Sequence, residues 1–211
     1  MNQRYWKEQE EELKKILELK REVYCIGDCL TLGVGTNEKL SYPTQLQNIL
    51  DERYEVINLG RTMLKMENLL EFSSLFEDKI KSNNGIVCVW AGTNDLYGEQ
   101  PVQNVANWYI EFCSNLKENG LKIISMTILP RSNITPPHFE EYRLMFNEFV
   151  RENYLEFSDK IVDFGSSDLI GKYGQEFDSL WYDQSNNAHL NDLGYHYVAK
   201  LVANAVYDIK L

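Results

Sequence analysis

Positive charge is in short supply in this chain. Against 32 Asp and Glu stand 21 Lys and Arg, a net charge of −11, and no Lys/Arg stripe gathers into a patch. That balance argues against nucleic acid and anionic lipid as partners. Long apolar runs are missing as well, since no window reaches the roughly 18–20 apolar residues of a membrane span. Met1 to Arg21 has a charged helical pattern where an export signal would have an apolar stretch, so a reducing cytoplasm is the expected compartment. Cysteine is sparse: Cys25, Cys29, Cys88 and Cys113 show neither C-x-x-C spacing nor the density of a disulfide scaffold. Cys25 and Cys88 fall in apolar strand patterns and Cys113 on the apolar side of a helix, so all three read as small buried hydrophobes. His189 and His196 share a helix face without a thiol or carboxylate at ligand spacing. Gly33 and Gly35 lack the lysine of a phosphate loop. Neither a metal nor a cofactor is expected.

What the chain does have is a regular alternation. An amphipathic helix is predicted over about 4–20, with Trp6, Leu13, Ile16 and Leu17 at helical spacing. A strand at 22–27 follows. Ser41 and Pro43 open a helix that runs to about Asp51. Tyr54 to Leu59 reads as the second strand, and a helix over about 65–81 carries Met66, Leu69, Leu70, Phe72, Leu75 and Phe76. Gly85 to Trp90 is an uninterrupted apolar strand, the pattern of a central parallel strand covered on both faces. A helix at about 101–119 stops at Asn119-Gly120. Leu121 to Leu129 is the fourth strand, followed by a loop from Pro130 to Pro137. A helix at 138–157, a strand from Lys160 to Phe164, an irregular stretch over 165–188 and a helix at about 191–208 complete the chain. Strands alternating with helices predict a three-layer α/β/α fold of flavodoxin-like type around a parallel five-stranded sheet. With no composition break or repeat, residues 1–211 read as one domain.

Every strand of such a sheet delivers its carboxyl end to the same edge, where open α/β proteins bind ligands. Polar or small residues cluster at those ends: Gly27-Asp28-Cys29, Asn58-Leu59-Gly60 and Gly92-Thr93-Asn94-Asp95. The loop before the last helix adds Asn186-Asn187-Ala188-His189-Leu190. Each group alone is weak evidence, since Gly and Asn end strands everywhere.

Together, in this order, they resemble the SGNH (GDSL-type) hydrolase family from residue 22 to 208. Gly27-Asp28-Cys29-Leu30-Thr31 resembles its first block, Gly60 its second-block glycine, and Gly92-Thr93-Asn94-Asp95 its third block without change. His189, with Leu190, Asn191 and Gly194-Tyr195 after it, matches the catalytic histidine. The resemblance implies a metal-free esterase, thioesterase, lipase or carbohydrate deacetylase. Its oxyanion hole would be formed by the Cys29 N–H, the Gly60 N–H and the Asn94 side chain. Asp28, Asp95, Tyr97, Trp181 and Tyr182 stand on segments expected to reach the substrate, with Asp28 also suited to bracing the turn.

Two positions depart from the family pattern. Cys29 stands where the family has serine, and Asn186 where it has aspartate three residues before the histidine. In a serine enzyme an Asp-to-Asn change costs roughly 10⁴ in rate. A thiol changes the requirement, because a thiolate–imidazolium pair can exist before substrate arrives and the third residue then mainly orients the ring. Papain-like proteases use Cys-His-Asn on an unrelated fold. The two changes therefore suggest acyl transfer by a Cys29-His189-Asn186 triad. The substrate would be a small-molecule acyl ester or thioester, with a carrier-protein thioester as one option. Two alternatives stay open at this point: a non-catalytic acyl- or sugar-binding relative, and a serine enzyme altered at position 29. Asp183 is a further candidate for the missing carboxylate, and Asp192 a favourable charge at a helix amino terminus.

Overall fold

The computed structural model describes residues 6–11, 20–36, 40–71, 73, 80, 84–132 and 135–209. Five strands form one sheet: β1 (Arg21–Gly27), β2 (Tyr54–Asn58), β3 (Ile86–Trp90), β4 (Lys122–Met126) and β5 (Lys160–Val162). They lie in the order β2-β1-β3-β4-β5, and every neighbouring pair is parallel. The helices are α1 (Cys29–Leu32), α2 (Tyr42–Ile49), α3 (Met66–Glu71), α4 (Thr93–Tyr97), α5 (Val102–Glu118), α6 (Phe139–Phe157) and α7 (Asp192–Asp208). The three-layer parallel architecture expected from the alternation is the one observed.

Side chains of a strand alternate between the two faces of the sheet, and each face builds its own core. Val23, Cys25, Cys88 and Trp90 pack with Leu46 of α2 and with Val198, Val202 and Val206 of α7. Tyr24, Ile26, Val87 and Val89 pack on the opposite face with Tyr109 and Phe112 of α5 and with Phe146 and Val150 of α6. All five positions of β3 are buried, as its unbroken apolar run requires. Cys25, Cys88 and Cys113 are fully buried thiols within these cores.

Several boundaries differ from the sequence pattern. β4 ends at Met126 because side chains of α6 take over the backbone beyond it. Asn147 accepts from the Ile128 N–H at 2.7 Å and donates to its carbonyl at 2.8 Å. Buried Arg143 donates to that same carbonyl and to Gly171 O, both at 3.1 Å. Thr93–Tyr97 is a short helix where the sequence reading has only a polar strand end. Of the helix expected over 4–20, residues 6–11 are helical and Trp6 is exposed; Leu13, Ile16 and Leu17 lie outside the described residues. Phe72, Leu75 and Phe76 of the next expected helix also lie outside them. Among the described residues, no helix is long and apolar enough to cross a membrane.

The carboxyl edge is tight where β1 meets β3. A Cβ on Gly27 would lie 2.1 Å from the Trp90 carbonyl oxygen and 2.4 Å from Thr31 Oγ1. Neither a strand carbonyl nor the packed threonine can step aside cheaply. Gly27→Ala is therefore expected to destabilise the protein by about 1–3 kcal/mol, the usual range for overpacking. A urea unfolding midpoint equal to that of the parent would refute this.

Candidate active site

Cys29 is held by a turn that leaves it little freedom. Asp28 is the N-cap of α1, accepting the Leu30 N–H at 2.9 Å. Gly33 closes the turn in the left-handed region, φ 101°, and returns its N–H to the Cys29 carbonyl. A residue with a Cβ is strained there, which glycine avoids. Cys29 is only 8 % exposed, less open than a polar turn at a sheet edge suggests.

His189 reaches the thiol from the loop before α7. The loop is pinned at both ends: the Asp183 N–H donates to the His189 carbonyl at 3.0 Å, and Asn191 caps α7 by accepting from Leu193 and Gly194. Asn187 takes a left-handed conformation, φ 48°, a region that asparagine tolerates better than most residues. The result places His189 Nε2 3.0 Å from Cys29 Sγ and His189 Nδ1 3.0 Å from Asn186 Oδ1.

The hydrogen bonds fix the tautomer. The Ala188 N–H donates to Asn186 at 3.0 Å, so the amide atom it meets is the oxygen. That oxygen can only accept, so His189 Nδ1 carries the proton and Nε2 is left to accept from the thiol. Behind the amide, Asn186 Nδ2 faces Asp183 Oδ2 at 3.4 Å. Asp183 is held in turn by the Ser185 N–H and hydroxyl. Asp183 thus supports Asn186 and does not replace it at the imidazole.

Burial sets the charge state of the pair. It pushes the Cys29 thiol up to about 12, reinforced by Asp28 and opposed by Arg131. It also brings His189 down to about 4, helped by Arg131 and opposed by Asp183. Burial thus opposes the thiolate–imidazolium pair expected from the sequence and favours a neutral thiol beside a neutral imidazole. Desolvation penalises both ions.

Two of the expected oxyanion donors, Gly60 and Asn94, already have partners. The Gly60 N–H donates to Asn58 Oδ1 at 2.9 Å. Gly60 also packs against α1, since a Cβ there would lie 2.3 Å from Leu32 N. Asn94 is 4 % exposed and gives one amide N–H to Leu64 O at 3.0 Å, leaving its second donor among the described residues.

Three of the five expected substrate contacts need correction. Asp28 and Asp95 are buried structural groups. The first caps α1, and both oxygens of the second accept the Met66 N–H. Tyr182 lies in the core with its hydroxyl on Ile170 O at 2.6 Å. Trp181, half-buried, packs against the Tyr197 ring at 5.6 Å, a contact that leaves its expected role untouched. Polarity or ring size in a sequence does not reveal which way a side chain turns. Tyr97 remains a candidate, because the Arg131 guanidinium lies over its ring, 4.5 Å from the centroid. Arg131 was not foreseen. Its position directly after Pro130, in the loop that follows β4, was the available signal. Its neighbour Ser132 donates to the Asn187 carbonyl at 3.1 Å, tying this loop to the histidine loop. His196 bonds Gln45 at 2.8 Å inside the fold. Among the described residues, no group of three His, Cys, Asp or Glu could hold a metal ion.

The model of the GDSL-like Lipase/Acylhydrolase family matches residues 25–197. The chain belongs to that family. Solved structures agree in fold. A lipolytic protein of the G-D-S-L family from Veillonella parvula superposes with a TM-score of 0.74 at 14% identity, over 90% of this chain and 100% of that one. A psychrotrophic esterase, EstA, from Pseudoalteromonas sp. gives 0.71 at 15%, over 89% and 97%. An acetyl xylan esterase, AlAXEase, gives 0.65 at 20%, over 88% and 99%. A curated acetylxylan esterase from Xylanibacter ruminicola is 37% identical over 79 residues, 35% of this chain and 16% of that protein's length. This family member thus shares only a minor part of that longer relative.

Two outcomes follow from the charge states. Burial raises Asp28 from 3.8 to about 7, so the folded state holds that proton more tightly than the unfolded chain does. Stability is then lost as pH rises from about 4 to 7. Asp28→Asn keeps a good cap and removes the ionisation, and should stabilise the protein at pH 7.5 by on the order of 3 kcal/mol. Urea unfolding at pH 4 and 7.5 checks this, and an equal variant-minus-parent difference at both would refute it. Separately, iodoacetamide should alkylate Cys29 with no rate plateau below about pH 9. Peptide mass spectrometry would reveal a low-pH plateau if the thiolate were pre-formed.

Proposed function

We propose that this chain is an acylhydrolase that works through an S-acyl intermediate on Cys29. The observation that supports this most is the file Cys29–His189–Asn186, at 3.0 Å and 3.0 Å, at the carboxyl edge of the sheet.

As Sγ attacks the carbonyl carbon, the thiol proton passes to Nε2 and the carbonyl electrons move to oxygen. Collapse of that intermediate expels the alcohol or thiol, which takes the proton back from Nε2. Water then attacks the thioester with Nε2 as base, returning the acid and the thiol. With burial favouring the neutral pair, proton transfer would accompany attack, as it does in serine enzymes. Asn186 serves this chemistry because its oxygen, fixed by Ala188, holds the Nδ1–H tautomer. An Asn in a serine triad fails by favouring the wrong tautomer. Donors on Cys29 N–H, Gly60 and Asn94 would meet the oxyanion, each worth about 3–4 kcal/mol of barrier. For Gly60 this requires its N–H to leave or share Asn58.

The similarity to an acetylxylan esterase makes acetyl esters the first substrates to try. A sulfur intermediate also reacts readily with amines, so thioester donors and amine acceptors belong in the same panel. Incubation with p-nitrophenyl acetate, acetylated xylan and acetyl-coenzyme A should leave an acetyl adduct on Cys29, read by peptide mass spectrometry. Cys29→Ala should show none, and His189→Ala should lose about 10²–10⁴ in kcat. Absence of any adduct with all three donors would sink the proposal.

A further inference from the structure

Three cations of this acidic chain stand on segments that leave the carboxyl edge: Arg61, Lys65 and Arg131. Arg61 follows Gly60 and donates to its carbonyl at 2.7 Å. Lys65 precedes α3 and lies near Gly98, at the end of α4. Arg131 is the deepest of the three in its effect. Its guanidinium lies over Tyr97 at 4.5 Å and near Phe139 at 5.9 Å. Its field reaches Cys29, Asp28 and His189 at once.

We propose that Arg131 is a specificity residue that binds an anionic group, carboxylate or phosphate, on the substrate taken at Cys29. This rests on the acyl-transfer reading for the place of the reacting carbonyl. Two observations support it. The guanidinium carbon lies over the Tyr97 ring, 4.5 Å from its centroid, and a guanidinium fork matches carboxylate and phosphate in bidentate fashion. The loop carrying it is bonded to the histidine loop through Ser132 and Asn187, so its position is set relative to the triad.

The anion can come from two places, the acyl chain or the leaving group, and matched thioesters separate them. In the Cys29→Ala protein, calorimetry would compare S-butyryl- with S-succinyl-N-acetylcysteamine, which differ by an acyl carboxylate. A second pair, S-acetylpantetheine and S-acetyl-phosphopantetheine, differs by a leaving-group phosphate. In at least one pair the charged member should bind about tenfold tighter, the worth of one charge-assisted hydrogen bond. Arg131→Gln in the same background should bring that pair together, and Arg131→Lys should keep part of the preference. Equal binding within both pairs, or a preference that survives Arg131→Gln, would overturn the proposal. The first comparison needs no change at Arg131, so a variant that misfolds does not rescue it. Turnover of the same four thioesters by the Cys29 protein judges the acyl-transfer reading separately. Tight charged binding without turnover would reject that reading alone.

Discussion

The contact between Cys29 Sγ and His189 Nε2 joins residues 160 positions apart in the chain. No local preference can produce it. It depends on the parallel sheet, which lays β1 beside β3 and sends both carboxyl ends to one edge, and on α7, which packs across the β1–β3 face and returns the preceding loop to that edge. The two cores are therefore part of the site: they fix the distance between two groups whose chemistry fails if they drift by an ångström.

Dryness is the second constraint. The edge is enclosed enough to hold Cys29, His189, Asp28 and Asp95 toward their neutral forms, each mainly through burial. Two of these carboxyl groups spend their oxygens on backbone N–H groups, at Leu30 and Met66. They keep the nucleophile turn and the β3 exit in register with their neighbours. A polar cluster at a sheet edge thus divides into reacting groups and groups that hold the backbone still.

Much of this was legible in the sequence, for identifiable reasons. The unbroken apolar run of β3 and the amphipathic spacing of α5 and α7 are dictated by which faces are buried, so layers and sheet type could be read directly. Cys29, His189 and Asn186 were legible because their spacing matches a known pattern. The direction of a side chain was not. Asp28, Asp95 and Tyr182 are polar or amphipathic residues on the right segments, and they turn inward because backbone donors or carbonyls await them there. The end of β4 was hidden for a similar reason, since Asn147 and Arg143, far along the chain, replace the strand partners of Ile128. Arg131 escaped because one cation in a proline-rich loop carries no periodicity.

The bond between the Gly60 N–H and Asn58 Oδ1 bears on how a rate could be gained here. On the proposed reading, that amide oxygen is an internal stand-in for substrate, a neutral acceptor occupying the donor in advance. A ground-state ester carbonyl is no better an acceptor, so exchanging one for the other yields almost no affinity. An oxyanion is a far stronger acceptor and wins the exchange outright. Breaking the bond to Asn58 costs the same in either state, so the stand-in lowers both affinities alike, and the rate comes from how much better an acceptor the oxyanion is than the ester carbonyl.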